Sequence, residues 1–189
     1  MHELGIFLVG IGGHGLQQVG KALAEVGWKH GFQVTYSPKY EPAKRGGLSS
    51  AYVVISDEPV GNPRKAKNDI LVLMDPVGYG RFKAHIKPDG LMIVNDSIVH
   101  ESMEEGAAYR RIDLPLSEMA NEVGTTKTIS AVLLGALASA LKAYLPDAEE
   151  IRDMMLGKIK LNEKVRDMNI RAFKMGYDAY EGKLNAKME

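Results

Sequence analysis

The sequence predicts an α/β fold, a three-layer α/β/α sandwich on a Rossmann-like sheet, parallel or mixed, with helices at its C-terminal end. Apolar runs such as AYVVIS (51–56) and DILVLM (69–74) lack polar alternation, so their strands should be buried on both faces. A glycine-rich turn follows the first apolar run, and apolar residues then recur at helical spacing over 16–30. The length fits one domain, 1–189, with a helical C-terminal segment at 147–182.

Each predicted element has its own signal. Non-alternating apolar segments predict strands at 6–9, 32–37, 51–56, 69–74, 90–94 and 109–114. Apolar periodicity predicts helices over 16–30 and 128–144, and two more within 147–182. Another helix should begin after Asp75, because this carboxylate can cap the first turn and Pro76 suits the first helical position. Two prolines and two adjacent glycines predict a loop over 38–50.

Composition excludes several classes of function. The chain has 24 Lys and Arg against 24 Asp and Glu, so no net field favours nucleic acid or anionic membrane as a partner. No apolar stretch is long enough to span a bilayer, and the N-terminus does not resemble a secretory signal. The absence of cysteine excludes disulfides, thiolate nucleophiles and cysteine-held iron–sulfur clusters on this chain. We therefore expect a cytoplasmic protein.

The glycine-rich turn, GIGGHGLQQVG at 10–20, contains the spacing G-x-G-x-x-G. A dinucleotide site also requires an acidic residue about 20 positions later, after the second strand. That region reads GFQVTYSPKY and has no carboxylate before Glu41, although Lys39 could receive a phosphate. We therefore expect the turn to bring helix and sheet close together, so that a side chain at Gly12 would intrude between them. The helix N-terminus could also bind an anion.

Other candidate residues do not form a complete catalytic set. The five histidines show no metal-ligand spacing, and no nucleophile elbow, phosphate loop or zinc motif is present. His14, inside the glycine turn, could contact a ligand or a partner subunit, or simply face solvent. Asp75 and Asp96 end strands at the edge where ligands dock in open α/β sheets. A helix cap and a turn former are the simpler roles for them, so the chain alone is not expected to be a complete enzyme.

A family resemblance runs through nearly the whole chain. Its motifs are GIGGHGLQ (10–17), YEPAKRGG (40–47), VVISDEPV (53–60), DILVLMD (69–75), VGTTKTISAVLLGAL (123–137) and NIRAFKMGYDAY (169–180). In this order they resemble the γ subunit of the thiamine-diphosphate-dependent 2-oxoacid:ferredoxin oxidoreductases, and most closely its 2-oxoglutarate branch. The chain departs from the family pattern at several positions: His14 replaces a glutamine, Glu41 a glycine and Ser130 an asparagine, while Ala43 and Lys44 fill the stretch where the family has its glutamate.

The resemblance implies a subunit without redox centres. In the family, α and β subunits hold thiamine diphosphate with Mg, while β and a ferredoxin-like δ subunit hold iron–sulfur clusters. The complex converts a 2-oxoacid (pyruvate, 2-oxoglutarate or a branched-chain acid) and coenzyme A to acyl-CoA, carbon dioxide and reduced ferredoxin. The implied partners are thus α, β and δ subunits, with ferredoxin as acceptor, and the isolated chain could form a homodimer through its apolar helices. No cofactor or metal is expected on this chain.

The implied site is the glycine turn together with the loop that follows the second strand. Contacts to an anion, to coenzyme A or to a partner subunit are expected at Gly12, Gly13, His14, Arg45, Gly46 and Gly47. Arg45 can hold a carboxylate or phosphate with two parallel hydrogen bonds, or can be a solvated loop residue. Two other functions stay open: a free-standing NAD(P)-binding Rossmann-type oxidoreductase, and a non-enzymatic α/β binding protein.

Overall fold

One sheet organises the chain, described in this computed structural model over residues 3–42, 47–157 and 162–186. Within those ranges six strands pair in the order β2-β3-β1-β4-β5-β6. They are β1 (Glu3–Ile11), β2 (Gln33–Tyr40), β3 (Leu48–Ser56), β4 (Asn68–Leu73), β5 (Ile86–Asn95) and β6 (Arg110–Leu114). Each predicted strand is therefore confirmed.

The sheet is mixed, and the part of it that contains antiparallel pairs lies on one side of β1. Strands β1, β4, β5 and β6 run parallel, as in a Rossmann-like sheet. Strand β3 is antiparallel to both of its neighbours, β1 and β2, and separates them. The second strand of the chain is consequently an edge strand, one position away from the place that it occupies in a dinucleotide-binding sheet.

Helices occupy both faces of the sheet in unequal numbers. The described ranges contain α1 (Leu16–Lys29), α2 (Pro76–Phe82), α3 (Leu116–Val123), α4 (Ile129–Ala140), α5 (Ala148–Leu156) and α6 (Glu163–Asn185). All except α2 contribute to the larger apolar core on one face. The smaller core on the other face includes Tyr79 of α2 and Val99 of the segment that follows β5. The predicted three-layer α/β/α sandwich is confirmed, and no described helix is long and apolar enough to cross a membrane.

Helices α4 and α6 approach each other until their backbones touch. A Cβ atom on Gly135 of α4 would lie 1.9 Å from the carbonyl oxygen of Phe173 in α6. A Cβ atom on Gly176 of α6 would lie 1.9 Å from the carbonyl oxygen of Val132 in α4. The two glycines therefore permit an approach that no other residue would allow, which agrees with the close packing predicted for the 128–144 segment.

Some predicted boundaries are wrong. The 38–50 loop is shorter than predicted, because Lys39 pairs with Ser50 and Tyr40 with Ser49 in the β2–β3 ladder. Pro38 is compatible with β2 because an edge strand needs only one row of backbone donors. Helix α4 ends at Ala140 instead of reaching residue 144, since the chain turns there. The two helices predicted within 147–182 are present as α5 and α6, and α6 continues to Asn185.

Helix α3 was not predicted because its N-terminus is capped by distant residues. The amide of Ser117 donates to Oδ1 of Asn95 at 3.2 Å, and the amide of Glu118 donates to Oγ of Ser97 at 3.2 Å. The local N-cap residue is Pro115, whose side chain accepts no hydrogen bond. The usual start signal, a polar side chain just before the helix, is therefore missing from this part of the sequence.

Candidate functional site

The carboxyl ends of β1 and β4 lie side by side at one edge of the sheet. The chain leaves β1 through the glycine turn into α1, which packs on the larger core, and leaves β4 into α2, which packs on the smaller core. Consecutive helices on opposite faces of a sheet mark a topological switch point, and ligands of open α/β sheets bind in the crevice there. On this ground the region between the two strand ends, called the crevice below, is the candidate functional site.

The glycine turn forms one wall of the crevice. The amide of Gly12 donates to the carbonyl oxygen of Gly47 at 2.9 Å, which ties the turn to the start of β3. Gly13 has φ +102° and Gly15 has φ +69°, both in the left-handed region that favours glycine. Gly15 is the N-cap of α1, so no side chain caps the amide groups of this helix. Gly12 and Gly13 are both exposed.

The expected steric role of Gly12 is wrong. A Cβ atom on Gly12 would meet Cε2 of Tyr40 at 3.5 Å, an ordinary van der Waals contact. The crowded glycines are Gly10, whose Cβ would lie 2.9 Å from Met74 Cβ, and Gly15, whose Cβ would lie 2.7 Å from Ser130 Cβ. Gly15 therefore permits the approach of α1 to α4, whereas Gly20 of α1, whose Cβ would lie 3.0 Å from Ala51 Cβ of β3, permits the approach of the helix to the sheet.

Gln17 connects the first turn of α1 to the β2–β3 pair. Its Nε2 lies 3.3 Å from Oγ of Ser49 and 3.4 Å from the carbonyl oxygen of Ser50. The Tyr36 hydroxyl donates to the backbone oxygen of Gln17 at 2.9 Å. Gln17 belongs to the GIGGHGLQ motif, so this part of the motif positions β3 against α1 within the chain itself.

His14 is half-buried beside the crevice and does not simply face solvent. Its Nδ1 is buried and has no hydrogen-bond partner among the described residues. Burial lowers the pKa of the imidazole, and the nearby carboxylate of Asp75 opposes this effect only in part. The ring is therefore neutral at neutral pH, with one nitrogen that donates and one that accepts.

Two aspartates follow the ends of the neighbouring strands β4 and β5. Asp75, only 3% exposed, caps α2 by accepting the Gly78 amide on Oδ1 at 2.9 Å, as predicted. Its Oδ2 is buried without a hydrogen-bond partner in the described part of the chain, and the same holds for Oδ1 of Asp96. Asp96 lies in the turn after β5, as predicted, and its amide donates to the carbonyl oxygen of Leu114.

An ion-pair group that joins the end of β2 to α2 was not predicted. Glu41 lies 2.7 Å from Nζ of Lys39 and 2.7 Å from a guanidinium nitrogen of Arg81 in α2. Hydrogen bonds from Lys39 and Arg81 lower the pKa of the Glu41 carboxyl. Lys39 is a candidate phosphate ligand by sequence, but its ammonium group forms an ion pair with Glu41. Glu41 is the residue that stands where the γ-subunit family has a glycine. Sequence spacing gave no signal for the contribution of Arg81, because it depends on the position of α2 beside β1.

The structure brings four of the predicted site residues together. Gly12, Gly13 and His14 share one turn, and Gly47 is hydrogen-bonded to it. Arg45 and Gly46 lie outside the described residues. Among the residues that are described, no cluster of three or more His, Asp or Glu side chains could hold a metal ion. Strand β3 lies between the turn and β2, so the end of β2 is not where a dinucleotide site needs its acidic residue.

Known proteins share both the sequence pattern and the fold. The family model described as pyruvate ferredoxin/flavodoxin oxidoreductase matches residues 5–179. Over 174 residues the chain is 31% identical to the ketoisovalerate oxidoreductase subunit VorA of Methanothermobacter thermautotrophicus, a match that covers 92% of this chain and 36% of VorA. The chain thus spans only about a third of that relative.

Two further proteins match over nearly their full length. The 2-oxoglutarate synthase subunit KorC of Methanocaldococcus jannaschii is 28% identical over 175 residues, which are 92% of this chain and 91% of KorC. The keto/oxoacid ferredoxin oxidoreductase γ subunit from Geobacter sulfurreducens superposes with a TM-score of 0.81 at 26% identity, covering 97% of this chain and 99% of that one. The chain therefore belongs to the pyruvate ferredoxin/flavodoxin oxidoreductase family, and its resemblance to the γ subunits of 2-oxoacid:ferredoxin oxidoreductases is confirmed.

Proposed function

We propose that this chain is the γ subunit of a multi-subunit 2-oxoacid:ferredoxin oxidoreductase and packs against the catalytic subunits. The observation that carries the proposal is the family match over residues 5–179, which includes both the glycine turn and the C-terminal helices.

The reaction of the complex is the oxidative decarboxylation of a 2-oxoacid with coenzyme A, giving acyl-CoA, carbon dioxide and reduced ferredoxin. Thiamine diphosphate, Mg and the iron–sulfur clusters belong to the α, β and δ subunits in this proposal, in agreement with a chain that contains no cysteine. The substrate that we propose is 2-oxoglutarate, which is supported by the full-length match to KorC. A branched-chain 2-oxoacid is the second candidate, since VorA is the relative at 31% identity. The complex is proposed to be cytoplasmic.

The proposed contact residues differ in what they offer a partner. Gly12 and Gly13 are exposed and leave the backbone open to close approach. Arg45, Gly46 and Gly47 are proposed to contact coenzyme A or a partner subunit, with the Arg45 guanidinium bound to a phosphate or a carboxylate. Arg45→Ala should therefore weaken complex formation or raise the apparent KM for coenzyme A. Unchanged assembly and kinetics would leave Arg45 as a solvated loop residue.

Reconstitution tests the function directly. The chain should be purified alone and together with the thiamine-binding and ferredoxin-like subunits of its source organism, and ferredoxin reduction followed with 2-oxoglutarate and with 2-ketoisovalerate. We expect no activity from the chain alone, even with thiamine diphosphate, and activity from the complex. Robust reduction by the single chain, or a stable chain that never associates with these subunits, would contradict the proposal. Size-exclusion chromatography of the isolated chain also tests the expected homodimer.

Ligand binding distinguishes the proposed γ subunit from a free-standing NAD(P)-binding oxidoreductase. Nicotinamide and flavin dinucleotides should bind poorly, because β3 occupies the position from which a carboxylate would hold the ribose. Ribose hydroxyls buried without that partner lose hydrogen bonds to water, at a cost of about 1 to 3 kcal/mol. Micromolar binding of NAD, NADP or FAD in a calorimetric titration, abolished in a Gly12→Val chain that remains folded, would favour a dehydrogenase.

A further inference from the structure

The amino ends of the parallel strands border a cavity of about 440 Å³, at the end of the sheet away from the glycine turn. Its floor is apolar: Ile70 of β4 lies opposite Leu91 of β5, and Leu4 of β1 is two residues from the pairing partner of Ile70. Each of these three residues is only 5% exposed. Ala140, the last residue of α4, and Tyr144 in the following turn also line the cavity. A cavity of this volume is within the usual range for small-molecule sites.

Two of the four charged residues that line the cavity are already neutralised. Glu3 lies 2.7 Å from Nζ of Lys65. Asp69 lies 2.8 Å from Nζ of Lys87, and its other carboxylate oxygen accepts the Gly5 amide at 2.7 Å. The choice of ligand therefore depends on the remaining two charged residues.

The remaining charged residues of the cavity, Asp89 and Arg110, have opposite charges and do not pair with each other. Both are exposed, and neither side chain forms a hydrogen bond or an ion pair with any residue in the described ranges. The Asp89 amide donates to the carbonyl oxygen of Ala108 at 2.6 Å, and Arg110 is two residues further along the chain. Two residues of extended chain span at most about 7 Å, so one small molecule can reach both charged groups.

The backbone conformation of Asp89 is unusual. Its φ is +59°, and it is the one non-glycine residue with a positive φ in the described part of the chain. Aspartate and asparagine adopt this left-handed conformation more readily than other side chains do, although it still carries strain. Strained residues of this kind concentrate at binding and active sites. The conformation therefore agrees with a role for the Asp89 carboxylate at the cavity.

The residues that line the cavity favour a ligand with three different groups. The guanidinium of Arg110 can hold a carboxylate with two parallel hydrogen bonds. The carboxylate of Asp89 accepts hydrogen bonds from an ammonium group. The floor of Leu4, Ile70 and Leu91 can pack against an apolar chain, which gains free energy by leaving water. An α-amino acid with an apolar side chain carries all three groups on one carbon atom, whereas a 2-oxoacid has no ammonium group and would leave Asp89 unpaired.

We propose that this cavity binds a free α-amino acid with an apolar side chain, of the size of valine or leucine. Arg110 holds the carboxylate of the ligand, Asp89 holds its ammonium group, and the apolar floor holds its side chain. The inference goes beyond the proposed function and does not depend on it, because the cavity lies at the other end of the sheet from the turn that is proposed to contact partner subunits. An amino acid and the 2-oxoacid with the same side chain differ only at the α-carbon, and Asp89 distinguishes between them.

Calorimetric titration of the full chain with L-valine tests the inference. We expect saturable binding with a Kd of about 1 mM or tighter. Three comparison ligands each lack one of the groups: 2-ketoisovalerate lacks the ammonium group, isobutylamine lacks the carboxylate, and glycine lacks the side chain. Each of them should bind at least about tenfold more weakly than valine.

Two variants and a matched control locate the ligand. Arg110→Met removes the guanidinium and should weaken valine binding at least about tenfold. Asp89→Asn keeps a side chain that tolerates the positive φ, and it should weaken the binding of valine but not that of 2-ketoisovalerate, which has no ammonium group. Arg171→Met is the control and should bind valine like the wild type. Arg171 is exposed on α6, has no ion pair within the described ranges and does not line the cavity.

Three results would overturn the inference. If the wild-type chain shows no saturable binding of valine, the cavity holds only water. Equal affinity for valine in the wild type and in Arg110→Met would place the ligand elsewhere on the chain. Equal affinity of the wild type for valine and 2-ketoisovalerate, unchanged in Asp89→Asn, would identify a site for simple carboxylates instead.

Discussion

Two pairs of glycines in this molecule have opposite surroundings, one crowded and one open. Gly135 and Gly176 lie where α4 and α6 cross, and a Cβ on either would lie 1.9 Å from a backbone oxygen of the other helix. Gly12 and Gly13 lie in the turn after β1, where a Cβ would meet an ordinary contact at Gly12 and no described atom within 4 Å at Gly13. The first pair is explained completely by contacts inside the chain.

The second pair is explained only in part. Gly13 needs its positive φ of +102°, but Gly12 has neither a positive φ nor a close neighbour. A small residue at an exposed position with space around it is consistent with a surface that another molecule must approach. The helix crossing is thus explained within the chain, whereas the exposed turn is consistent with the assembly that we propose.

The largest expected effect is a loss of stability at the crossing of α4 and α6. Gly135→Ala should lower the free energy of unfolding by more than about 3 kcal/mol, because the new Cβ forces two packed backbones apart. Urea denaturation measures the change. The control is Gly182→Ala in α6, where no described atom lies within 4 Å of the Cβ position and better helix propensity should raise stability by about 0.5 to 1 kcal/mol. A stable Gly135→Ala variant would show that the two helices can separate at little cost.

The second largest effect is expected at Gly15, which shares features of both glycine pairs. Gly15→Ala should cost about 1 to 3 kcal/mol, because Gly15 combines φ +69° with a Cβ position 2.7 Å from Cβ of Ser130. Adding Ser130→Gly should recover the steric part and leave the backbone part. If the double variant shows no recovery in thermal melts relative to the two single variants, the contact with Ser130 is not the cause.

The third effect separates stability from assembly. Gly12→Ala should change the unfolding free energy by less than about 0.5 kcal/mol, since it creates only a 3.5 Å contact with Tyr40. Assembly with the thiamine-binding subunits should nevertheless weaken about tenfold, or about 1.4 kcal/mol, if a partner backbone approaches Gly12. Parallel melts and binding titrations measure the two quantities. A Gly12→Ala chain that assembles normally would remove the contrast between the two pairs of glycines.

The smallest expected effect is the contribution of His14 to the pH dependence of stability. Burial lowers the pKa of its imidazole in the folded chain below the ordinary value of 6.5, so at mildly acidic pH the unfolded chain binds a proton that the folded chain does not. The His14 contribution to stability is therefore complete above pH 6.5 and declines as the pH falls below it. The variant His14→Gln should show a shallower loss of stability in this range. Identical pH profiles of the two chains would indicate that burial does not affect the ring.

The sequence predicted the elements better than their arrangement. Strand positions and the cap at Asp75 follow from local signals, namely apolar runs and a carboxylate before a proline. The insertion of β3 between β1 and β2 has no local signal, because strand order depends on pairing between residues about 40 positions apart, such as Val9 and Ser50. Helix α3 was missed for a similar reason, since its caps come from Asn95 and Ser97.

The candidate site was predictable residue by residue but not as a group. His14, Asp75 and Asp96 were each singled out by sequence, and each had a simple separate explanation. Only the parallel pairing of β1 with β4 and of β4 with β5 places the segments that carry them at the same edge of the sheet. The absence of partners for their buried atoms is a property of the folded structure, which no spacing rule reports.

The position of β1 has a consequence for synthesis of the chain. Among the strands of the sheet β1 is made first, yet it lies inside the sheet, with β3 along one edge and β4 along the other. Its β3 neighbours extend to Ser56 and its β4 neighbours to Leu73, so the second edge stays unpaired until residues far downstream have been made. At about 5 to 20 residues per second, the 62 positions between Ile11 and Leu73 correspond to a delay of roughly 3 to 12 seconds. During that interval the nascent chain exposes an apolar strand, ELGIFLVGI, to which chaperones can bind.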